Sequence, residues 1–296
     1  MHPQGVGRAV PVAKATTATH RIEDRVKSGS AAFPRSTIHD PQSSLRVVIT
    51  GASSGLGLAL AQYYLQQGAL VGAIARRADL LQTLSGQFPQ QVHYYALDVC
   101  DAAAMRAAAQ DFIARVGVPD IVIANAGVSV GTLTEHVEDI AAFESVMNIN
   151  VLGAVKTFQP FLAPMRLAGT GTLVGIASVA GFRGLPGASA YSASKAALIS
   201  YLESLRVELH GSGVRMVTVC PGYIQTPMTE INPYPMPFIL PADVAAQRIA
   251  CVIARGKSFS VVPWQMGVVG QVLRLLPNCL YDKLFSKAPH KPRGLI

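Results

Sequence analysis

Residues 46–66 read RVVITGASSGLGLALAQYYLQ, and three physical patterns succeed one another within them. Val47, Val48 and Ile49 make a short β-branched run of the kind that suits a strand buried on both faces. Gly51, Gly55 and Gly57 then punctuate a turn, and the Leu- and Ala-rich stretch beyond has helix-forming composition. A strand that enters a helix through such a turn leaves the first N–H groups of the helix free to hold a phosphate. The spacing is G-x-x-x-G-x-G and not the G-x-G-x-x-G of the general dinucleotide fingerprint. The strand-before, helix-after context nonetheless favours a cofactor turn over an ordinary glycine-rich loop.

Working outward, short apolar runs alternate with longer amphipathic segments. Strands are predicted at Arg46–Thr50, Leu70–Ala75, Val92–Leu97, Asp120–Ala124, Gly171–Ile176, Val214–Val219 and Phe259–Val262, with helices near 55–67, 78–87, 102–115, 137–167, 190–211 and 241–254. Nearly continuous apolar strands separated by helices imply an α/β, doubly wound fold with a seven-stranded parallel sheet and helices on both faces. In such a sheet ligands gather beyond the carboxyl ends of the strands. No internal repeat is present, and no polar linker interrupts the chain after residue 45.

The formal charge is +8, but its distribution removes the nucleic-acid reading. Residues 1–44 hold six Lys/Arg against three acids and residues 254–296 seven against one, so the body between them is nearly neutral. A basic stripe interleaved with aromatics is absent. Residues 1–44, rich in Ala, Thr, Ser and Pro without a sustained apolar period, read as a disordered extension; they lack the apolar core of a secretory signal. The four cysteines are far apart and the seven histidines unclustered, which suggests neither disulfide framework nor metal site and fits a reducing, cytoplasmic compartment.

The end of the second strand bears on which dinucleotide is held. An acid there would bind a ribose 2′-OH; here the strand ends AIA and continues Arg76-Arg77, whose guanidinium groups suit a 2′-phosphate and favour NADP(H), with NAD(H) as the alternative. Further along, Tyr191 and Lys195 stand four residues apart in SAYSASKAALISYLESLRVEL, on one face of a predicted helix. A nearby cation favours the phenolate, so the pair predicts a lowered tyrosine pKa and a proton-transfer centre.

Taken in order, TGASSGLG at 50–57, Leu97-Asp98-Val99, Asn125-Ala126-Gly127, Asn150 in NINVLG, Ser178 in IASVAG, YSASK at 191–195 and Pro221-Gly222 with Thr226 make the chain resemble the short-chain dehydrogenase/reductase family over about residues 45–262. The resemblance implies a Rossmann-type fold in which Tyr191 is the general acid/base, Lys195 lowers its pKa and binds the nicotinamide ribose, Ser178 holds the substrate oxygen, and Asn150 anchors a proton-relay water. It also implies cofactor contacts: Gly51, Ser53, Ser54, Gly55 and Leu56 at the pyrophosphate; Asp98 and Val99 at the adenine; Asn125, Ala126 and Gly127 along the fourth strand; Pro221, Gly222, Ile224 and Thr226 at the nicotinamide. A homodimer or homotetramer is implied as well. The serine motif carries alanine before Ser178, where serine is frequent, with the catalytic set intact.

The segment PMTEINPYPMPFILP at 227–241 occupies the position of the family's substrate loop, and its Met, Ile, Tyr and Phe side chains favour a hydrophobic ketone or acyl chain over a sugar. Residues 263–296 have two readings: a helical flap over the substrate side, which is preferred, or an amphipathic segment at the inner face of a membrane, its basic tail beside anionic lipid. The favoured function is NADPH-dependent reduction of a hydrophobic ketone to a secondary alcohol. The competing class is a non-catalytic NADP(H)-binding redox sensor or membrane-associated protein.

Overall fold

The computed structural model describes residues 44–294. The expected disordered extension, save its last residue, lies outside them. The element order is β1(Arg46–Thr50), α1(Gly55–Gln66), β2(Leu70–Ala75), α2(Ala78–Gln87), β3(Val92–Ala96), α3(Ala102–Val116), β4(Ile121–Ala124), α4(Asp139–Met147), α5(Gly153–Ala168), β5(Gly171–Ile176), α6(Ser189–Glu208) and β6(Val214–Pro221). There follow β7(Ile224–Gln225), α7(Pro227–Glu230), β8(Leu240–Pro241), α8(Ala242–Ala254), β9(Phe259–Val262), α9(Trp264–Leu275) and α10(Asn278–Phe285). Seven strands form one parallel sheet in the order β3-β2-β1-β4-β5-β6-β9, so the winding reverses between β1 and β4. The crevice expected of a doubly wound sheet opens at that reversal.

The period-two alternation of each strand divides its side chains between two cores. Val47, Ile49, Val71, Ala73, Ile121, Ile123, Val174 and Val217 face a core with Leu60 and Tyr64 of α1, Leu81 of α2 and Ile249 of α8. Val48, Ile74, Val122, Leu173 and Met216 face the other, with Phe112 of α3, Phe158 and Phe161 of α5 and Leu202 of α6. A ladder buried on both faces has no solvent side, which is why these strands read as continuous apolar runs. Gly72 and Gly175 lie where a Cβ would run into Phe112 and Leu202, so the helices lie close against the sheet there.

The helix expected over 137–167 is corrected. α4 begins at Asp139 and gives way at Asn148–Leu152 to a π-helical turn before α5 resumes at Gly153. One inserted residue widens the turn without breaking the apolar period, so composition does not register it; such bulges recur at functional sites. Residues 226–239 form an excursion closed at its base by the parallel pair β7–β8, with Ile224 opposite Leu240. Among the described residues no helix is long and apolar enough to cross a membrane.

The segment after β9 folds back onto the body. Met266 of α9 backs directly onto Gly222, and Gly270 onto the ring of Phe182. Arg183 reaches the carbonyls of Leu273 and Leu276 at the end of α9, both at 2.5 Å. Its guanidinium also lies 3.9 Å from the Tyr281 ring centroid, and Tyr281 donates to the Gly184 carbonyl at 2.6 Å.

Candidate active site

The β1–α1 turn is held by short-range constraints that leave its N–H groups facing outward. Gly51 (φ 70°) and Gly55 (φ 54°) adopt left-handed backbone that side-chain-bearing residues resist. Gly57 is required for space, because a Cβ there would meet the Gly51 carbonyl and the Asn125 amide inside contact distance. Ser54 caps α1 in extended conformation without spending its side chain on the helix, and no acid stands in the first turn. The first turn of α1 thus brings no carboxylate of its own to the positive helix end, as a phosphate site needs.

Asn125 ties strands together as well as lining the cleft. Its Nδ2 donates to the Thr50 carbonyl at 2.9 Å, and the Thr50 hydroxyl accepts from the N–H groups of Asn125 and Ala126 at 3.1 and 3.2 Å. Beyond β2, Arg77 Nη2 donates to Ser53 Oγ at 3.0 Å and Ser54 Oγ at 2.5 Å. Arg76 lies 3.9 Å from the Asp98 carboxylate, an exposed and loose pairing. The two arginines therefore part: Arg77 stands over the phosphate turn, and Arg76 leans to the wall formed by Asp98 and Val99.

A cleft of about 340 Å³ runs from this turn to the ends of β5 and β6. Gly51, Ser53, Ser54, Gly55, Leu56, Arg76 and Arg77 line one end, Asp98, Val99, Asn125, Ala126 and Gly127 the middle, and Ser178, Tyr191, Lys195, Pro221, Gly222, Ile224 and Thr226 the other. Every residue assigned to the site from sequence lies on that wall except Asn150, which is buried behind it. Residues not assigned from sequence also line it, among them Val128, Ile149, Ile176, Met228 and Thr229. Ile149 and Ile176 look like core in any periodicity reading; one lies in the π turn and the other at the carboxyl end of β5, and only those places in the fold bring them to the cleft.

The shape fits a dinucleotide. The glycine cradle faces an uncapped helix end, Arg77 supplies a cation above it, and Gly127 lies where a Cβ would press on Asn150 Oδ1 at 3.1 Å. Gly55 in turn packs its α-carbon against Thr226, whose capping box with Thr229 closes the far side of the turn.

At the opposite end three polar side chains converge. Ser178 follows β5 and its Oγ accepts from the Ala180 N–H at 3.1 Å. Burial raises the Tyr191 phenol above its ordinary pKa, while a hydrogen bond with Ser178 pulls it back down. The expectation that Lys195 lowers this pKa is corrected for the protein groups themselves: the Lys195 ammonium is 5.8 Å from the Tyr191 ring centroid and donates to the Ile176 carbonyl at 2.9 Å. Burial in turn brings the lysine down to about 8. Desolvation thus draws the acid–base range of the lysine toward neutrality, opposite to what charge pairing alone predicts.

Asn150 sits at the centre of the π turn with its amide fully engaged. Nδ2 donates to the Val128 carbonyl at 3.0 Å and to Ser194 Oγ at 2.9 Å, and Oδ1 accepts from the Val128 N–H at 2.8 Å. Ser194 Oγ donates to the Tyr191 carbonyl at 2.8 Å. A continuous chain of hydrogen bonds therefore joins the π turn, the strand-four loop and the backbone of the tyrosine.

The C-terminal tail contributes groups to which the sequence assigns no partner. Lys291 is buried, with Nζ donating to Ser129 Oγ at 3.0 Å and the Met228 carbonyl at 3.3 Å. Arg293 clamps Asp139 through Nε at 2.9 Å and Nη2 at 3.1 Å, and the Gly131 N–H donates to the Pro292 carbonyl at 2.9 Å. These contacts join residues more than sixty positions apart, which no local pattern announces.

Comparison with known proteins agrees with the geometry. The family profile described as short chain dehydrogenase matches residues 46–233. An uncharacterized oxidoreductase of Myxococcus xanthus (strain DK1622) is 39% identical over 238 residues, spanning 79% of this chain and 94% of the relative. Among solved structures, a short-chain dehydrogenase from Streptomyces avermitilis aligns with a TM-score of 0.69 at 27% identity, over 84% of this chain and 99% of its own. An alcohol dehydrogenase from the archaeon Thermococcus sibiricus, complexed with 5-hydroxy-NADP, aligns at 0.64 and 26% identity, over 72% and 91%. With strand order, cleft and profile all in accord, the chain belongs to the short-chain dehydrogenase/reductase family and is an oxidoreductase of the NAD(P)(H)-binding kind.

Proposed function

We propose that the protein is an NADPH-dependent reductase of hydrophobic ketones in which Tyr191 donates the proton. The observation that carries this reading is the convergence of Ser178, Tyr191 and Lys195 at one end of a cleft whose other end is an anion cradle under Arg77. When bound, the coenzyme supplies the hydride. The protein orients and protonates: the Ser178 hydroxyl and the Tyr191 phenol hold the carbonyl oxygen, and the phenol passes its proton to that oxygen as charge develops. Lys195, an amine brought by burial to about 8, restores the tyrosine proton. Both Asn150 amide hydrogens are committed, so a relay water would rest on its main-chain carbonyl, while its side chain fixes the helix turn beneath Tyr191.

Preference for the 2′-phosphorylated coenzyme is supported by Arg77, which spans the two serine hydroxyls of the turn. Gly51, Ser53, Ser54, Gly55 and Leu56 would hold the pyrophosphate, Asp98 and Val99 the adenine, and Pro221, Gly222, Ile224 and Thr226 the nicotinamide. On the substrate side, Met228 lines the cleft, and Tyr223 and Tyr234 meet edge-on with centroids 6.5 Å apart. A pliable apolar wall of this kind suits hydrocarbon next to the carbonyl.

We take residues 45–262 as the catalytic and dinucleotide-binding domain, in a cytoplasmic protein, with the later helices covering its substrate side. Assembly as a homodimer or homotetramer belongs to the same reading; Leu167 and Val207, outward on α5 and α6, are apolar and exposed. Thermal unfolding with each coenzyme, together with coenzyme oxidation across ketones of graded chain length, tests the proposal. Greater protection by NADPH than by NADH and turnover that rises with apolar length are expected. Equal protection, or turnover confined to sugars, would overturn it.

A further inference from the structure

The helices α9 and α10 each carry apolar side chains that their own packing leaves uncovered. On α9 the inward side is marked by Met266 on Gly222 and Gly270 on Phe182. Trp264, Val268, Val272 and Leu275 point the other way, between 55 and 81% exposed. At 3.6 residues per turn these four fall within a stripe about 80° wide. α10 repeats the arrangement: Tyr281 is buried against the body, while Leu280 and Leu284, one turn apart, are exposed. A single exposed leucine requires no explanation, but six large apolar side chains on two successive helices mark a contact surface.

The charges beside this face say what it contacts. Arg274 lies on the flank of the α9 stripe and Lys283 beside the α10 pair, with Lys287 just past that helix; all three are exposed. Among the described residues none of the three has an ion-pair partner, whereas Arg293 of the same segment is engaged by Asp139 and Glu138. A second copy of this chain would bring the same cations against themselves, which is repulsive. A surface that is apolar within and anionic at its rim satisfies both features at once.

We propose that α9 and α10 dock on an anionic lipid surface, with Trp264, Val268, Val272, Leu275, Leu280 and Leu284 entering the interface and Arg274, Lys283 and Lys287 meeting the headgroups. Amphipathic helices of this type lie in the membrane plane with the apolar face about 5–10 Å into the headgroup boundary. A tryptophan at one end suits the interfacial belt. Because the opposite side of α9 backs onto Gly222 at the rim of the cleft, docking would set the reaction centre one helix away from lipid. The inference stands on surface chemistry alone and is independent of the coenzyme and substrate assignment.

The test is cosedimentation of the full chain with phosphatidylcholine vesicles and with mixed phosphatidylcholine–phosphatidylglycerol vesicles, at low and high salt. Binding to the mixed vesicles, weaker on phosphatidylcholine and falling with salt, is expected. Each surface cation contributes about fivefold to partitioning, so a variant combining Arg274→Gln, Lys283→Gln and Lys287→Gln should bind the mixed vesicles about a hundredfold more weakly. A second variant, Trp264→Ser with Val272→Gln, should lose the residual binding at high salt. All five substituted positions are exposed, and an unchanged coenzyme-induced thermal shift verifies the fold of each variant. Failure of the wild type to sediment with mixed vesicles, or equal binding by the variants, would overturn the proposal. So would light scattering in which the stripe variant breaks an oligomer while vesicle binding persists, since the face would then belong to a second copy.

Discussion

Arg77→Gln separates the two coenzymes by a margin that the geometry allows to be worked out. Arg77 reaches Ser53 Oγ at 3.0 Å and Ser54 Oγ at 2.5 Å, so the side chain does two things: it steadies the turn, and it presents a cation there. Loss of the first weakens NADPH and NADH alike and cancels in their ratio. Loss of the second weakens the hold on the pyrophosphate in both coenzymes, which also cancels, and the hold on the 2′-phosphate in NADPH alone, which does not. Hydrogen bonds to charged groups contribute about 1.5–3 kcal/mol, and the exposure of this arginine places it in the lower half of that range, about 1.5–2 kcal/mol. At about 1.4 kcal/mol per decade, the NADPH-to-NADH affinity ratio should fall about ten- to thirtyfold. Titration calorimetry of wild type and variant with both coenzymes reads that ratio directly. If it is unchanged while both affinities fall together, Arg77 only braces the turn and the coenzyme assignment loses its support.

Tyr191→Phe should lower turnover by about 10²–10⁴-fold, the usual contribution of a positioned proton donor, and leave coenzyme affinity near wild type; turnover close to wild type would remove the phenol from the reaction. Lys195 has its pKa depressed from 10.5 to about 8 by burial, so between those values the unfolded chain holds a proton that the folded protein lacks. Its contribution to stability therefore rises with pH across that window, and the wild-type-minus-Lys195→Met difference in urea unfolding should climb by about 2–3 kcal/mol between pH 8 and 10. A flat difference would mean that the amine is not desolvated. Arg183→Ala removes the donors to Leu273, Leu276 and Asn278 together with the Tyr281 stack, and should cost about 2–3 kcal/mol and expose residues 264–294 to limited proteolysis. Protease resistance equal to wild type would show that α9 and α10 are held by other contacts.

The sheet was legible because its strands are buried on both faces, and burial leaves a one-dimensional trace. Val47–Ile49, Val71–Ile74 and Ile121–Ala124 are apolar without interruption, and each matches its ladder closely. The π turn at Asn148–Leu152 left no trace, since Ile149, Val151 and Leu152 continue an apolar helix pattern whether the turn holds four or five residues. The cleft divides in the same way. Tyr191 and Lys195 were visible as an (i, i+4) pair, but the direction of the tyrosine pKa was not, because it depends on burial and on Ser178 thirteen positions earlier. Lys291 and Arg293 read only as members of a basic tail, and their partners Ser129, Met228 and Asp139 come from segments distant in the chain.

By itself the amino-acid order determined the strand–helix alternation, the glycine cradle and the spacing of the catalytic pair, because each depends on interactions within a few residues. Tertiary structure alone decided which arginine stands over the cradle, where Asn150 spends its amide, how burial shifts Tyr191 and Lys195, and which face of α9 is left outward. Those depend on distances between segments that meet only when the sheet closes.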